Sequence, residues 1–127
     1  AVDTLYNHFK DTGRTPDYYD IIATGDLGKI GKKMTLEMLK EYGYDLSKNY
    51  VDCGDIIFDN ETQNTCSGGS GCGCSAVVMC GYFYKRLMKK EIKKLLLIST
   101  GALMSPTSTL QGESIPGIAH AVAIEYE

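Results

Sequence analysis

The sequence has no long apolar segment, and its longest unbroken aliphatic run covers only residues 95–98. A bilayer-crossing helix needs about 20 mainly apolar residues, so no membrane-spanning helix is predicted. The sequence also does not have the composition of a disordered protein, which contains few apolar residues, since 43% of its 127 residues are hydrophobic and 23% are charged. We expect one folded domain over residues 1–127, with residues 1–15 as a peripheral helix end and linker. The start at Ala1, without Met or a secretory leader, is typical of a processed or trimmed chain.

Histidine is scarce, with only His8 and His120. The cysteines are Cys53, Cys66, Cys72, Cys74 and Cys80. Zinc sites favour cysteine pairs two to four residues apart, and no histidine lies near this cluster, so no metal site is predicted. We expect the cysteines to be free thiols that pack as small apolar groups. A nucleophilic Cys72 or Cys74 paired with histidine is the alternative, because a helix start favours the thiolate. We expect His8 to be exposed and His120 to lie in the core.

The net charge of −3 is unevenly distributed. Residues 1–64 carry seven basic and twelve acidic side chains, whereas residues 65–127 carry six and four. The basic run at residues 85–94 either contacts an anionic membrane or nucleic acid or is a solvated helix face. Glu91 interrupts the run, no aromatic residue stands within it, and the pI is about 5.4, so no nucleic-acid partner is predicted.

Apolar runs predict strands at residues 20–24, at residues 95–100 and at residues 118–126, with a loop from Ser105 onward. A further strand is predicted within residues 51–59, around residues 56–58. Helices are predicted at residues 4–10, at residues 30–42 and after Ser75. Apolar side chains recur every four residues at Ile30, Met34, Met38 and Tyr42, and one face of the last helix would carry Ala76, Cys80, Tyr84 and Leu87. Strands that alternate with helices predict an α/β unit with a largely parallel sheet.

A glycine-rich loop precedes the last predicted helix, with four glycines within residues 68–73. Converging backbone amides at such a loop can hold an anion. The loop lacks both the Gly-Lys-Ser/Thr ending of a Walker A motif and the GxGxxG spacing. The alternative to an anion-binding site is a structural role, in which the small residues of the loop allow the helix to begin close to the sheet. Asp26 follows the first strand, where it is either a ligand-site residue or a cap for the helix that starts near Lys29.

Four motifs carry a resemblance to a known family. They are residues 19–31 (YDIIATGDLGKIG), 68–78 (GGSGCGCSAVV), 99–106 (STGALMSP) and 113–122 (ESIPGIAHAV). After about residue 15, the chain resembles the C-terminal part of the stage V sporulation protein AD family. The resemblance implies the C-terminal half of a thiolase-like α/β fold, with a mixed, mostly parallel sheet and helices packed on it.

Condensing enzymes of the thiolase superfamily carry a histidine that corresponds to Gly25 or Asp26 here, and an asparagine that corresponds to Ser70. Neither residue type is present, and an ionised Asp26 would repel the oxyanion that a histidine stabilises. The resemblance therefore implies a protein without catalytic residues or cofactor. The alternatives are an acyltransferase or condensing enzyme and a scaffold that binds no ligand.

The family resembles the dipicolinic-acid-binding component of the SpoVA machinery, which moves this dicarboxylate with calcium into the spores of Firmicutes. The resemblance and the loop chemistry predict ligand-binding residues at Asp26, Gly69, Ser70, Gly71 and Ser75. Asp26 opposes an anion unless calcium or a proton bridges the two. The expected partners are other SpoVA proteins. The resemblance also implies that this chain is a soluble protein that is held peripherally at the inner spore membrane. We also expect an exposed apolar surface, because a thiolase-like half normally packs on another half, and pairing with a second copy.

Overall fold

A computed structural model describes residues 1–103 and 105–126, so Met104 of the third motif and Glu127 lie outside the described residues. The helices are α1 (Val2–Thr12), α2 (Gly28–Glu41), α3 (Cys53–Ile56), α4 (Cys74–Val78), α5 (Tyr84–Met88) and α6 (Pro106–Leu110). The strands are β1 (Ile21–Thr24), β2 (Tyr50–Asp52), β3 (Lys94–Ala102) and β4 (Gly117–Glu125). A 3₁₀ turn covers Pro16–Tyr18, and a π-helical turn at Met79–Phe83 joins α4 to α5.

The described strands form one mixed sheet in the order β2-β1-β3-β4. β1 runs parallel to both neighbours, so that Ile22 pairs with Tyr50 on one side and with Leu96 on the other. β4 returns antiparallel along β3, where Val122 pairs with Leu97. Helix α2 makes the crossover that a parallel β1–β2 pair requires. The predicted α/β class, with a mixed, mostly parallel sheet and helices packed on it, is confirmed.

The central strands are buried on both faces, which explains why their sequences are continuous apolar runs. On one face, Ile22 and Leu96 pack with Leu5 and Phe9 of α1 and with Leu39 of α2. The opposite face buries Ala23, Leu95 and Leu97 with Cys53, Val78, Phe83 and Leu87. The sheet therefore lies between two layers of helices. Helix α1 is longer at both ends than the predicted residues 4–10, and Gly13 ends it in a left-handed conformation.

The helix over residues 74–88 packs on the sheet through a different face from the predicted one. Its buried side chains are Cys74, Val78, Phe83 and Leu87. Ala76, Cys80 and Tyr84 of the predicted face are exposed, so that prediction is correct only for Leu87. The π-helical turn is the reason, because it adds a residue to one turn and allows Val78 and Phe83, five positions apart, to face the same core.

Three other boundaries differ from prediction. A second strand is present at the start of the predicted range 51–59 but not around residues 56–58. β2 ends at Asp52, whose carboxylate accepts the amides of Gly54 and Asp55 and so starts α3. β3 continues through Gly101 to Ala102. The segment after Ser105 begins with α6 rather than a loop, because the Ser105 hydroxyl caps the Ser108 amide at 3.3 Å. Within the described residues, no helix is long and apolar enough to cross a bilayer.

Candidate functional site

Asp26 lies at the carboxyl end of β1, where it joins two other parts of the chain. One carboxylate oxygen accepts the Thr100 hydroxyl at 2.6 Å, and the other accepts the Gly71 amide at 3.2 Å. The Asp26 amide in turn donates to the Thr100 hydroxyl oxygen at 2.9 Å. The structure thus brings together two predicted site residues, Asp26 and Gly71. It adds Thr100, which the sequence did not reveal because its closeness depends on the parallel pairing of β1 with β3.

The alternative role of Asp26, as a cap for α2, is wrong. The amides of Leu27 and Gly28 at the start of α2 donate to the carboxylate of Asp52, at 3.0 and 2.7 Å. The same carboxylate accepts the Thr24 hydroxyl at 2.6 Å. Asp52 is fully buried and caps both α2 and α3, so it fixes the backbone on which Asp26 stands. In the sequence, the feature that indicates this role is an aspartate directly before a short helix that begins Cys-Gly-Asp. That helix was not predicted, because a strand was predicted around residues 56–58 instead.

The glycine-rich loop packs closely on α2 and α3. The Gly69 amide donates to the Gly54 carbonyl at 2.6 Å, and the Lys29 amide donates to the Ser67 carbonyl at 2.8 Å. A Cβ atom at Gly54 or Gly68 would overlap a backbone carbonyl of the neighbouring segment. Close packing by small residues is therefore present between the loop and these two helices. Cys74, the first residue of α4, is buried in the cluster that contains Ala23 and Leu97 of the sheet, so the helix also begins close to the sheet, as predicted.

The five predicted ligand-binding residues differ in exposure and in existing hydrogen bonds. Asp26, Gly69 and Ser75 are partly buried, whereas Ser70 and Gly71 are exposed. The amides of Gly69 and Gly71 already donate within the protein. Of the donors predicted for an anion, the hydroxyl groups of Ser70 and Ser75 therefore have the greatest freedom to meet a ligand.

The cysteines fall into two classes, and all five thiols are free. Cys53 and Cys74 are buried, as the packing prediction expects. Burial, assisted by the Asp52 carboxylate, raises the pKa of Cys53 to about 12, and burial beside Asp26 also raises the pKa of Cys74. The expected thiolate at the helix start is thus wrong for Cys74. The packing prediction is wrong for the three exposed cysteines, Cys66, Cys72 and Cys80.

Both histidine predictions are wrong. The ring of His8 is partly buried, with Nε2 2.6 Å from the Tyr19 hydroxyl, and burial followed by the charge of Arg14 lowers the His8 pKa. His120 is exposed on β4, opposite Ser99. Across residues 1–103 and 105–126, no three histidine, cysteine, aspartate or glutamate side chains are grouped to hold a metal ion.

The basic run lies at the other end of β3 from Asp26, since Lys94 begins this strand and Thr100 is near its end. Arg86 pairs with Glu91 at 3.3 Å, and the Lys94 ammonium lies 3.8 Å from the centre of the Tyr18 ring. These contacts fix two of the cations against the protein, while Lys85, Lys89, Lys90 and Lys93 remain exposed.

The expected exposed apolar surface is present, and two parts of it lie on helices. One is the outward side of residues 74–88, with Val77, Tyr82, Tyr84 and Met88. The other is a row along α2, with Ile30, Met34, Met38 and Tyr42. Pairing with a second copy stays a prediction.

Two comparisons with known proteins identify the family of the chain. The model of the family described as "Stage V sporulation protein AD (SpoVAD)" matches residues 1–125. A protein of Bacillus subtilis (strain 168) named "Stage V sporulation protein AD" is 45% identical to this chain over 125 residues. The match covers 98% of this chain and 37% of the relative. The residues matched by the family model include the first 15 as well as the four motifs. The chain thus spans well under half the length of this relative.

Proposed function

Because the chain belongs to the stage V sporulation protein AD family, we propose that it acts in spore formation as a non-enzymatic binding protein for dipicolinic acid. The observation that carries this proposal is the cluster at the carboxyl edge of the sheet. There the Asp26 carboxylate is held by Thr100 and by the glycine-rich loop, with Ser70 and Ser75 close in sequence to the Gly71 contact. Ligands of open α/β sheets bind at this edge.

A pyridine dicarboxylate needs hydrogen-bond donors and compensation of its negative charge. The hydroxyl groups of Ser70 and Ser75 supply donors, while the Asp26 carboxylate repels the ligand. Calcium resolves this conflict because it binds six to eight oxygen atoms and can bridge carboxylates. The ligand then enters as a calcium complex, in which dipicolinate and water supply most of the coordination and Asp26 supplies one carboxylate.

The space around position 25 supports a binding protein over an acyltransferase. A Cβ atom at Gly25 would lie 2.6 Å from both the backbone nitrogen and the hydroxyl oxygen of Thr100, so this backbone leaves no room for a histidine there. Asp26 is acidic and already accepts two hydrogen bonds. Neither position offers a donor to a thioester oxyanion.

Isothermal titration calorimetry of the 127-residue chain with dipicolinate tests the proposal. We expect saturable heat that increases with equimolar calcium, and a calcium effect that Asp26→Asn abolishes. Ser70→Ala should weaken binding by about fivefold, the value of one hydrogen bond of about 1 kcal/mol. Ser114→Ala, a change at an exposed serine in the loop after α6, serves as the control and should leave binding unchanged.

The competing functions give different results. An acyltransferase would release free coenzyme A from acyl-CoA, and such release by the purified chain would contradict the non-enzymatic proposal. A scaffold that binds no ligand would show no heat of binding with or without calcium. That result would remove dipicolinate from the proposal.

We further propose that the protein lies peripherally at the inner spore membrane beside other SpoVA proteins, and that the exposed lysines of the basic run contact its anionic lipids. Each basic residue near such a surface contributes about 1 kcal/mol. Co-sedimentation with phosphatidylglycerol vesicles should be lost in Lys85→Glu/Lys89→Glu and retained in Lys10→Glu/Lys48→Glu, which changes two exposed lysines elsewhere. Equal binding by both variants would contradict this surface.

A further inference from the structure

The apolar row of α2 lies in solvent rather than on the sheet. Ile30, Met34, Met38 and Tyr42 are between 43% and 65% exposed, whereas Thr35 and Leu39 supply the buried side of this helix. Four large apolar side chains in an i, i+4 series on one surface are more than the scattered exposed residues of an ordinary monomer. The row therefore has the character of an interface.

A groove runs beside the row, between α1 and α2. Its volume is about 600 Å³, and its lining includes Tyr6 of α1, Gly31, Met34 and Met38 of α2, and Tyr42 directly after α2. Leu27 also lines the groove and packs against Gly31, where a Cβ atom would lie 2.7 Å from the Leu27 Cβ atom. A ridge of side chains from another helix fits such a groove, and packing of i±4 ridges from both helices is the commonest form of helix contact.

A second row runs parallel to the apolar one, one position earlier at each step. It consists of Lys29, Lys33, Glu37 and Glu41, all exposed. Its first half is basic and its second half is acidic. An antiparallel copy of α2 presents these charges in the reverse order, so that lysines meet glutamates along the whole contact. A parallel copy would place the two charged rows on opposite sides of the contact, where they could not pair.

We propose that α2 docks on α2 of a second copy of this chain, antiparallel and related by a two-fold axis, with Met34 beside Met38 of the second copy. A two-fold contact uses the same surface twice, and the α2 surface meets this requirement because its apolar row is continuous and its charged row reverses sign at the middle. The contact lies on the α1–α2 face of the sheet and does not depend on ligand binding at Asp26.

Two charge variants of the full chain test the pairing. Lys29→Glu/Lys33→Glu makes the charged row wholly acidic, and Glu37→Lys/Glu41→Lys makes it wholly basic. By sedimentation equilibrium at low salt, we expect the unaltered chain to dimerise and each variant to self-associate at least about tenfold more weakly. An equimolar mixture of the two variants should recover the dimer, because the acidic row then meets the basic row.

A second pair of variants separates this face from the other exposed apolar surface. Met38→Glu should dissociate the dimer, whereas Val77→Glu, on the outward side of residues 74–88, should leave it intact. Circular dichroism confirms that each variant is folded. A monomeric unaltered chain, an equimolar mixture that stays monomeric, or a dimer lost in Val77→Glu and retained in Met38→Glu would each overturn the proposal.

Discussion

Removal of the Asp52 carboxylate should cause a large loss of stability. The carboxylate is fully buried and accepts five hydrogen bonds, of which those from Thr24, Gly28 and Gly54 are themselves buried. Asp52→Ala leaves the amides of Gly28 and Gly54 without an acceptor, while the Thr24 hydroxyl keeps the Tyr50 hydroxyl as a partner at 2.8 Å. The change therefore unpairs donors at the starts of two helices at once.

The magnitude follows from these contacts. Two buried unpaired amides cost about 1–3 kcal/mol each, and the two partly buried cap bonds add about 0.5 kcal/mol each, so the expected loss is about 4 kcal/mol. This is a large fraction of the roughly 5–15 kcal/mol by which such domains are stable. Asp52→Asn should lose about half as much, because one oxygen remains while the new NH₂ group faces amide donors.

Urea unfolding followed by circular dichroism measures the effect. With a slope of about 2 kcal/mol per molar urea, Asp52→Ala should lower the midpoint by about 2 M. Asp45→Ala is the matched control, since the Asp45 carboxylate caps only the exposed Ser47 amide at 2.9 Å and its loss should cost less than about 1 kcal/mol. A loss below about 1 kcal/mol in Asp52→Ala would refute the double-cap role.

Three further predictions follow from local geometry. Lys90 follows the C-cap of α5 in a left-handed conformation with φ of 59°, the position at which glycine is preferred. Lys90→Gly should therefore raise the free energy of unfolding by about 0.5–1 kcal/mol in urea titrations, and an unchanged midpoint would contradict this. Maleimide should label the three exposed cysteines of the folded chain quickly, whereas Cys53 and Cys74 should be labelled only after unfolding. Peptide mass mapping identifies the labelled positions, and rapid labelling of Cys53 or Cys74 in the folded chain would contradict their burial. Because the pKa of His8 is lowered, the unfolded chain binds its proton more readily. Stability should therefore fall as the pH drops below about 6.5, and His8→Gln should weaken this dependence in unfolding curves at pH 5 and 7.5.

The strands were largely predictable because the two central ones are buried on both faces. The apolar runs at residues 20–24 and 95–100 became β1 and β3, and residues 118–126 became β4. Residues 56–58 have strand propensity, but the Asp52 cap starts a helix just before them, and a hydrogen-bonded carboxylate outweighs local propensity. Tertiary hydrogen bonds of this kind are not visible in a spacing pattern.

Helical faces were less predictable than the helices themselves. A spacing of three or four residues assigns Ala76, Cys80 and Tyr84 to one face, and the π-helical turn replaces that face by one that carries Val78 and Phe83. At the site, the position after β1 identified Asp26 as a candidate. Its contact with Thr100 required knowledge of which strands are neighbours.

The proposed binding of dipicolinate at the carboxyl edge of β1 is tested most directly by ¹H–¹⁵N correlation spectra of the labelled chain. Addition of calcium dipicolinate should shift the amide signals of Asp26, Gly71 and Ser75, with saturation. The basic run at residues 85–94 is an internal control, because its lysines attract any dicarboxylate. Shifts confined to that run, or no shifts at all, would contradict the account.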